Sequence, residues 1–296
     1  MNAKTPRRRL RIGLPKGSLQ QSTVNLFEKA GYRVQISDRS YYPAIDDQDL
    51  ELVLFRPQEM SRYVEDNVLD VGITGHDWVI ENGSDVHEVC ELTYSKATRQ
   101  PVRWVLAVPE ESPIDRPEKL ANGIIVTELI NTTTKYFADR KIPIRKVEFS
   151  WGATEVKARL VDAIVDNTET GSSLRANKLR IVDTVLTSTT RLIANHDSWK
   201  DSATREKIES LAMLLCAAID AGAKVGLKMN APRQQVDDIV ALLPAEKSPT
   251  ISELRDKEWV ALEVVVDEKI GRAMIPHLRR AGATGIISYS LKLVVP

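Results

Sequence analysis

The chain has 296 residues, of which 43% are hydrophobic and 28% charged, so its composition is that of an ordinary soluble globular protein with two or three domains. Its 41 basic and 41 acidic residues cancel, which removes the basic surplus that a nucleic-acid binder needs to neutralise backbone phosphates. The two cysteines lack metal-site spacing, and no apolar run approaches the roughly 20 residues of a membrane span. The N-terminus shows no secretion signal. We therefore expect a cytoplasmic protein without nucleic-acid or membrane partners.

Short apolar runs alternate with helical patterns through the first half of the chain. The periodicity predicts, in chain order, a strand at Leu10–Leu14, a helix from Leu19 to Ala30, a strand at Leu52–Phe55, a helix at Gln58–Glu65, strands at Leu69–Ile73, Val102–Val108 and Gly123–Val126, a helix at Thr133–Asp139, a strand at Arg145–Phe149 and a helix at Thr154–Leu160. Strands separated by helices imply mainly parallel sheets, which bind ligands at the carboxyl ends of their strands.

A long helical region at Asp197–Ala221 ends at Gly222, and the pattern changes after it. The remainder predicts a strand at Lys224–Met229, a helix at Pro232–Leu243, strands at Pro249–Leu254 and Trp259–Asp267, a helix at Glu268–Ala281 and a strand at Gly285–Val295. This βαββαβ order is the ferredoxin-like arrangement. Because the region contains no group of catalytic residues, we expect it to serve regulation or assembly.

The segment Val161–Asn177 contains the densest group of residues suited to chemistry. An apolar run predicts a buried strand, and the even spacing of Asp162 and Asp166 places both acids on one face of it. A hydroxyl-rich turn follows at the start of a helix, with Thr168, Thr170, Gly171, Ser172 and Ser173. Such a turn suits a phosphate, and a carboxylate before it can hold ribose hydroxyls, so the segment predicts a site for a phosphorylated sugar. The alternative is a junction whose hydroxyls only cap the helix, and Glu169 leaves a carboxylate of open role in the turn.

Two other strand-to-helix turns are candidate ligand contacts. Lys16 and Gly17 form a turn that suits phosphate, although Ser18 also makes it a simple helix cap. Gly75 lies in a turn after a buried strand, where its lack of a side chain lets the backbone approach a ligand. A tight turn that starts a helix explains the second pattern equally well.

Charged side chains near strand ends offer further candidates. Arg56 directly follows a predicted strand and Arg103 lies inside one, so each suits either an anionic ligand or a structural ion pair. His76 follows Gly75 and is the histidine whose neighbourhood indicates a site. The four histidines show no metal-ligand spacing.

Taken together, these segments resemble the long form of the ATP phosphoribosyltransferase family, which begins histidine biosynthesis. The resemblance covers nearly the whole chain and includes LRIGLPKGSL, LFRPQEMSRYVEDNVLDVGITGHDWV, VDAIVDNTETGSSLRANKLRIVDTVLTSTTRLIAN and an ending from SPTISEL to GIISYSLKLVVP. The third segment is the most specific to the family, and the C-terminal block distinguishes the long form from the short one.

The resemblance implies an α/β architecture with two catalytic domains of periplasmic-binding-protein type, residues 1–100 with 195–222 and residues 101–194, and an active site in the cleft between them. A regulatory domain at residues 223–296 would resemble the ACT fold and bind histidine as feedback inhibitor. Ser248, Thr250, Ala283 and Ser288 are our candidates for that effector site. Homo-oligomers, dimers and hexamers, are also implied.

The resemblance also assigns residues to substrates. Asp162, Asp166 and the loop Thr168, Glu169, Thr170, Gly171, Ser172, Ser173 and Leu174 match the family's phosphoribosyl-pyrophosphate site. Residues matching the walls of its nucleotide site are Lys16, Gly17, Ser18, Arg56, Gly75, His76 and Arg103.

The implied reaction is attack by N1 of the adenine of ATP on C1 of the ribose, with loss of pyrophosphate and inversion. Asp166, helped by Asp162, would hold ribose hydroxyls, and the loop would hold the 5′-phosphate while the basic side chains meet polyphosphate. The expected cofactor is Mg²⁺, bound chiefly through pyrophosphate oxygens and water, whose protein ligands the sequence does not identify. No residue stands out as a general base.

A non-catalytic small-molecule sensor or solute-binding protein on the same two-lobed scaffold is the alternative function, because fold does not fix function. An exported binder needs a signal peptide and a transcriptional sensor usually needs a DNA-binding module, and the sequence shows neither pattern. A phosphoribosyltransferase acting on another base is a third hypothesis.

Overall fold

The structure, a computed structural model, describes residues 8–37, 39–94, 101–152, 154–244 and 249–295. The chain divides into two compact units: the first extends to Ala212 apart from Lys29–Gly31, and the second comprises Lys29–Gly31 and the chain from Met213 onwards. Within the described ranges, every helix lacks the length or the apolar character that crossing a bilayer requires.

The elements up to residue 221 alternate between strands and helices. The strands are β1 (Leu10–Pro15), β2 (Val34–Gln35), β3 (Ala44–Ile45), β4 (Leu50–Phe55), β5 (Val71–Gly75), β6 (His87–Leu92), β7 (Val102–Pro109), β8 (Ile124–Thr127), β9 (Lys146–Phe149), β10 (Ala163–Thr168), β11 (Leu179–Ser188) and β12 (Thr190–Ala194). The helices are α1 (Gln20–Lys29), α2 (Pro57–Glu65), α3 (His76–Asn82), α4 (Ile130–Asp139), α5 (Thr154–Lys157), α6 (Ser172–Ala176), α7 (His196–Lys200) and α8 (Ser202–Ala221).

The first lobe is built on a sheet with strand order β4-β1-β5-β12-β6. Two glycines on neighbouring strands, Gly13 and Gly72, leave room for Met60 of α2, since a Cβ at Gly13 would lie 2.3 Å from the Met60 sulfur. The hydroxyl of Thr74 also donates to the carbonyl of Pro57 at 2.8 Å. These contacts fix the beginning of α2 beside the carboxyl end of the sheet.

The second lobe is built on a sheet with strand order β11-β7-β10-β8-β9. Strands β8, β9 and β10 run parallel, so their carboxyl ends meet at one edge. The core around Trp104, Leu106 and Phe137 packs on one face, and a smaller core with Ile164 and Leu174 packs on the other. Because both faces are covered, these strands are the near-continuous apolar runs that the sequence shows.

The sheets of the two lobes are mainly parallel, as predicted, but two strands, β7 and β12, run against the others. Strand β7 pairs antiparallel with β10 and β11, and β12 pairs antiparallel with β5 and β6. Strand β12 therefore returns the chain to the first lobe's sheet before residue 195, where the sequence analysis placed the return. The predicted helical region 197–221 is also two helices, α7 and α8, because Asp201 leaves helical geometry and accepts hydrogen bonds from Thr204.

The second unit follows the predicted βαββαβ order. Its elements are β13 (Lys224–Pro232), α9 (Val236–Ala241), β14 (Thr250–Glu253), β15 (Trp259–Asp267), α10 (Glu268–Arg280) and β16 (Thr284–Ser290). The strands form an antiparallel sheet in the order β14-β15-β13-β16, around a core that includes Leu227, Val260 and Leu278. The predicted helix at Pro232 begins four residues later, because the ladder with β15 continues to Pro232.

Candidate functional site

A cavity of about 350 Å³ lies between the two lobes of the first unit. Its described lining comes from the first lobe, with Ser18, Leu19, Pro57, Gln58, Gly75, Asp77, Trp78, Thr93 and Tyr94, from the second lobe, with Val102, Trp104, Glu128, Asn167 and Glu169, and from the crossing segment Ser188, Thr189 and Thr190. Its volume falls in the range of about 300–1,000 Å³ typical of small-molecule sites. The cavity also meets the carboxyl ends of strands from both sheets, where α/β proteins bind ligands.

The turn between β10 and α6 presents hydroxyl groups beside this cavity. Gly171 has a φ of +74°, and a Cβ there would lie 2.9 Å from an Arg175 nitrogen, so this position requires glycine. The Thr168 hydroxyl accepts a hydrogen bond from the Gly171 N–H at 2.7 Å and shapes the turn. Thr170 and Ser172 are exposed, with their hydroxyls 3.0 Å apart. The turn therefore offers two hydroxyls to a ligand, as the sequence predicts for a phosphate loop.

Asp166 lies near the carboxyl end of β10, on the sheet face that also carries Thr168. Burial raises the pKa of its carboxyl from 3.8 to about 7, and the negative charge of Glu155 adds to the shift. The N–H of Asn167 donates to Asp166 at 2.7 Å and opposes the shift. Burial and the neighbouring acids therefore favour the protonated form of the Asp166 carboxyl.

Two acids that the sequence analysis did not select stand beside Asp166. Glu155 of α5 accepts a hydrogen bond from the Ser173 hydroxyl at 2.5 Å, and Glu128 accepts one from the Gly152 N–H at 3.0 Å. Both charges act on Asp166, and Glu128 also lines the cavity. Glu128 directly follows β8, so the rule that ligands bind at strand carboxyl ends was the signal that could have found it.

Two predicted members of the sugar site lie elsewhere. Asp162 precedes β10 and accepts a hydrogen bond from the Ile124 N–H at 2.8 Å, at the amino end of the strand. The expectation that it assists Asp166 is therefore wrong, since the strand does not begin until Ala163 and separates the two carboxyls along its length. Leu174 is buried in the core below α6 and anchors the turn.

The first lobe gathers cations at the carboxyl ends of β1 and β4. Lys16 follows β1 and lies with its ammonium 3.8 Å from the centre of the Tyr41 ring. Arg56 follows β4, and its guanidinium is 3.8 Å from where a Cβ of Gly17 would be. The pKa of Tyr41 is lowered by a hydrogen bond and the charge of Lys16, with a smaller effect of Arg56. The structure thus brings Lys16, Gly17 and Arg56 together, and the neighbouring Ser18 lines the cavity.

Two carboxylates of α3 connect the lobes. Asp77 is buried and accepts a hydrogen bond from the indole N–H of Trp104 at 2.6 Å, and burial raises its pKa. Glu81 accepts bonds from the N–H groups of Asn131 and Thr132 at 2.8 and 2.9 Å, which caps the start of α4 from the other lobe. A Cβ at Gly75 would lie 2.0 Å from an Asp77 oxygen, so Gly75 is needed for this arrangement.

His76 and Arg103 do not join the cavity lining among the described residues. The Nδ1 atom of His76 lies 3.0 Å from a carboxylate oxygen of Glu88 on β6. Arg103 alternates along β7 with Val102 and Trp104, which do line the cavity, so its side chain is on the other face of the sheet. That face carries Thr168, the residue opposite Arg103 in the ladder.

The structure does not gather the candidate effector residues into one pocket. Thr250 is on β14 and Ser288 on β16, which are opposite edges of the sheet. Ala283 is fully buried in the core, so an effector cannot touch it, and Ser248 lies outside the described residues. The expectation of a shared pocket is wrong for these residues within a single chain.

The described residues contain no group of three or more His, Cys, Asp or Glu side chains arranged to hold a metal ion. Burial raises the pKa of Asp166, and the negative charges of Glu155 and Glu128 add to the shift. A cation bound at this edge would offset these negative charges. This donor set fits a Mg²⁺ ion that arrives with a phosphorylated ligand, since Mg²⁺ usually takes one or two carboxylates and completes its shell with phosphate and water.

Comparisons with known proteins agree with this geometry. A family model described as ATP phosphoribosyltransferase matches residues 56–217, and one described as the HisG C-terminal domain matches residues 221–292. An ATP phosphoribosyltransferase of Pelodictyon phaeoclathratiforme is 57% identical over 97% of both chains. One of Geotalea daltonii is 52% identical over 97% of this chain and 99% of its own.

A solved structure also matches most of the chain. It is the ATP phosphoribosyl transferase (HisG:HisZ) complex from Thermotoga maritima, with a TM-score of 0.60 and 26% identity over 71% of this chain and 98% of that one. The first family model contains the β10–α6 turn, Asp166, Glu155 and Glu128, and the curated relatives extend the match to nearly the full length. The chain belongs to the ATP phosphoribosyltransferase family.

Proposed function

We propose that this protein transfers the phosphoribosyl group of phosphoribosyl pyrophosphate to N1 of ATP, the first step of histidine biosynthesis. The observation that carries the proposal is the hydroxyl-bearing β10–α6 turn beside Asp166, next to Asn167 and Glu169 in the wall of the interlobe cavity, within a segment that matches the family. The membership favours a transferase over a solute-binding protein on a similar scaffold.

In the proposed reaction the lone pair of adenine N1 forms a bond to C1 of the ribose. The bond from C1 to the pyrophosphate oxygen breaks, and its electron pair leaves with pyrophosphate. Positive charge develops on the ribose and then on the adenine, while negative charge develops on the leaving group. The protein contributes by aligning the two substrates and by placing opposite charges beside these centres.

The second lobe would bind the sugar donor. We assign the 5′-phosphate to the turn, through the hydroxyls of Thr170, Ser172 and Ser173. The Ser173 hydroxyl must then exchange its bond to Glu155 for one to phosphate. Asp166 would accept hydrogen bonds from ribose hydroxyls and stabilise the positive charge of the transition state. Burial and the neighbouring acids raise its pKa and so disfavour its charged form before substrate binds.

The first lobe would bind anionic phosphate groups of the nucleotide. Lys16 and Arg56 stand at neighbouring strand ends, and the positive charges of both lower the pKa of Tyr41, with Lys16 the larger cause. Arg56 offers a planar guanidinium suited to bidentate contact with phosphate oxygens. Ser18 extends this wall into the cavity.

Mg²⁺ is the proposed cofactor, and Asp166, Glu155 and Glu128 are the protein oxygens available at this edge. When bound with the sugar donor, the ion would neutralise charge on the departing pyrophosphate. These carboxyls would otherwise repel that anion, so their net charge must be compensated for the donor to bind.

We further propose the two-lobed, periplasmic-binding-protein type of architecture for the catalytic part and a ferredoxin-like, ACT-like regulatory role for residues 223–296. The strand order β14-β15-β13-β16 and the match to the C-terminal family model support this assignment. Histidine would act there as inhibitor in a homo-oligomer, a dimer or hexamer.

A chain ending at residue 223 should lose histidine inhibition, and its oligomer size is measured in parallel. Unchanged inhibition would contradict this role. The cytoplasmic location stays a prediction.

One assay tests the main proposal. The full-length protein is mixed with ATP, phosphoribosyl pyrophosphate and Mg²⁺, and released pyrophosphate is measured. We expect release that depends on both substrates. Release with another purine or pyrimidine but not with ATP would identify a different phosphoribosyltransferase, and no release with any base would support a binding protein instead.

A further inference from the structure

The wall of the cavity contains polar atoms without partners. Within the described chain, the side-chain oxygens Oε1 of Gln58 and Oγ1 of Thr189 are buried and have no hydrogen-bond partner. Both residues line the cavity. A desolvated acceptor without a donor is unfavourable, so such atoms in a cavity wall indicate a ligand that supplies the missing hydrogen bonds.

Aromatic rings occupy the same wall. Trp78 and Trp104 pack edge to face with centroids 6.0 Å apart, and the buried Tyr94 donates to or accepts from the Thr23 hydroxyl at 2.7 Å. All three rings line the cavity. Aromatic rings beside polar acceptors suit an aromatic heterocycle that carries hydrogen-bonding edges.

The proposed chemistry restricts which edge of the adenine can be read. N1 must stay free of protein because its lone pair attacks the ribose. The remaining edge presents the N6 amino group, a donor, and N7, an acceptor. A glutamine amide matches this pair with its oxygen and its NH₂, which is the geometry by which glutamine reads adenine in nucleic acids.

We infer that Gln58 is a specificity-determining residue that binds the N6 and N7 edge of the adenine ring in the interlobe cavity, an inference that rests on the proposed function. Its backbone is held in place, since the Asn82 amide donates to the Gln58 carbonyl at 2.9 Å and the preceding carbonyl of Pro57 accepts from Thr74. Its terminal amide torsion is broad, so the side chain can turn both atoms toward the base without leaving a rotamer.

The neighbouring acid Asp77 has a different role. One of its oxygens accepts from the Trp104 indole and the other from the Trp78 N–H, at 2.6 and 3.1 Å. The first bond orients the Trp104 indole and the second comes from the Trp78 backbone, which makes Asp77 a positioning residue for Trp104. Gln58, unlike Asp77, has an unused acceptor, and its bond to N6 would strengthen as positive charge spreads over the alkylated adenine.

The test compares ATP with two analogues in direct binding experiments. Purine riboside triphosphate lacks the N6 amino group, and 7-deaza-ATP lacks the N7 acceptor. Affinities are measured by calorimetry for the wild-type protein, Gln58→Leu, Gln58→Glu and the control Gln21→Leu, whose glutamine is exposed on α1 and bonded to Asn25. Pyrophosphate release from ATP and phosphoribosyl pyrophosphate is recorded separately.

We expect the wild type and the control to bind ATP about tenfold more tightly than either analogue, and Gln58→Leu to bind all three equally. Gln58→Glu should keep the preference over the analogue without the amino group but lose the preference over 7-deaza-ATP, because a carboxylate accepts and does not donate. This variant decides the matter if Gln58→Leu does not fold. Discrimination that survives in Gln58→Leu, a preference over 7-deaza-ATP that survives in Gln58→Glu, or no discrimination in a wild type that turns over ATP would overturn the role of Gln58. Absent turnover would refute the proposed function itself.

Discussion

The two lobes of the first unit place opposite charges at equivalent positions of their sheets. In the first lobe, the turns after β1 and β4 carry Lys16 and Arg56. In the second lobe, the ends of β8 and β10 carry Glu128 and Asp166. Because both sheets deliver their strand ends toward one cavity, topology sets where ligands bind, and the side chains at the strand ends set which part of a ligand each lobe can hold.

The pKa shifts of one residue in each lobe reflect the same difference in charge. The pKa of Tyr41 in the first lobe is lowered by a hydrogen bond and charge from Lys16. The pKa of Asp166 in the second lobe is raised by burial and by Glu155. A transfer between two highly anionic substrates needs both environments, since the cations attract phosphate while the carboxylates favour the positive charge that develops on the sugar.

The largest effect is expected at Asp166. Asp166→Asn keeps the size of the side chain but removes its charge, and we expect kcat to fall by about 10²–10³-fold, as for loss of one electrostatic contact to a transition state. Steady-state pyrophosphate release measures it. The matched control is Asp162→Asn, which should keep kcat because that carboxyl lies at the amino end of the strand. Equal losses in both variants would contradict the division of roles.

The two basic side chains of the first lobe, Lys16 and Arg56, should affect substrate affinity more than the chemical step. The double variant Lys16→Ala, Arg56→Ala is expected to raise the KM for ATP by about tenfold or more and to weaken its dependence on salt, because exposed charges are screened. Lys119→Ala is the control, since that lysine is paired with Asp115 on the surface. An unchanged KM in the double variant would move the nucleotide phosphates to another part of the molecule.

A smaller effect is expected from the turn of the second lobe. Gly171→Ala strains a left-handed position and pushes against Arg175, so we expect the KM for phosphoribosyl pyrophosphate to rise by a few-fold to about tenfold. Gly83→Ala places the same methyl group at a φ of +61° in open space at the end of α3. If both variants lose stability equally but only Gly171→Ala changes this KM, the turn contacts the donor; parallel changes in KM would contradict that contact.

Sequence patterns predicted the local elements better than their pairing. The strand at residues 259–267 follows from an apolar run broken only by Glu263, and the turn at Gly171 follows from a glycine among small polar residues. The return strand Thr190–Ala194 was missed because its short mixed pattern does not reveal that it joins a sheet formed by residues more than 100 positions earlier. Glu155 was missed for a related reason, since its contact with Ser173 depends on tertiary packing.

The smallest expected effect is on the pH dependence of stability, and it tests the environment of Asp166 alone. The carboxyl of Asp166 has a pKa of about 7 in the folded protein against 3.8 ordinarily, so between these values the native state binds more protons than the unfolded state. Its contribution to stability is therefore complete below about pH 4 and is lost as the pH rises through 7. Three pKa units correspond to about 4 kcal/mol, and partial solvent exposure reduces the expected loss to about 1–2 kcal/mol.

Asp166→Asn removes this titration, so the variant should match the wild type at pH 4 and exceed its free energy of unfolding at pH 8. Denaturant unfolding of the substrate-free protein at both pH values measures the difference. Asp115→Asn is the opposite control, because Lys119 lowers the pKa of Asp115 and the carboxylate stabilises the protein above its ordinary pKa. The Asp115→Asn variant should therefore be the weaker one at pH 8. If both substitutions shift stability in the same direction at pH 8, the carboxyl of Asp166 has a compensating cation and the charge contrast between the lobes does not hold.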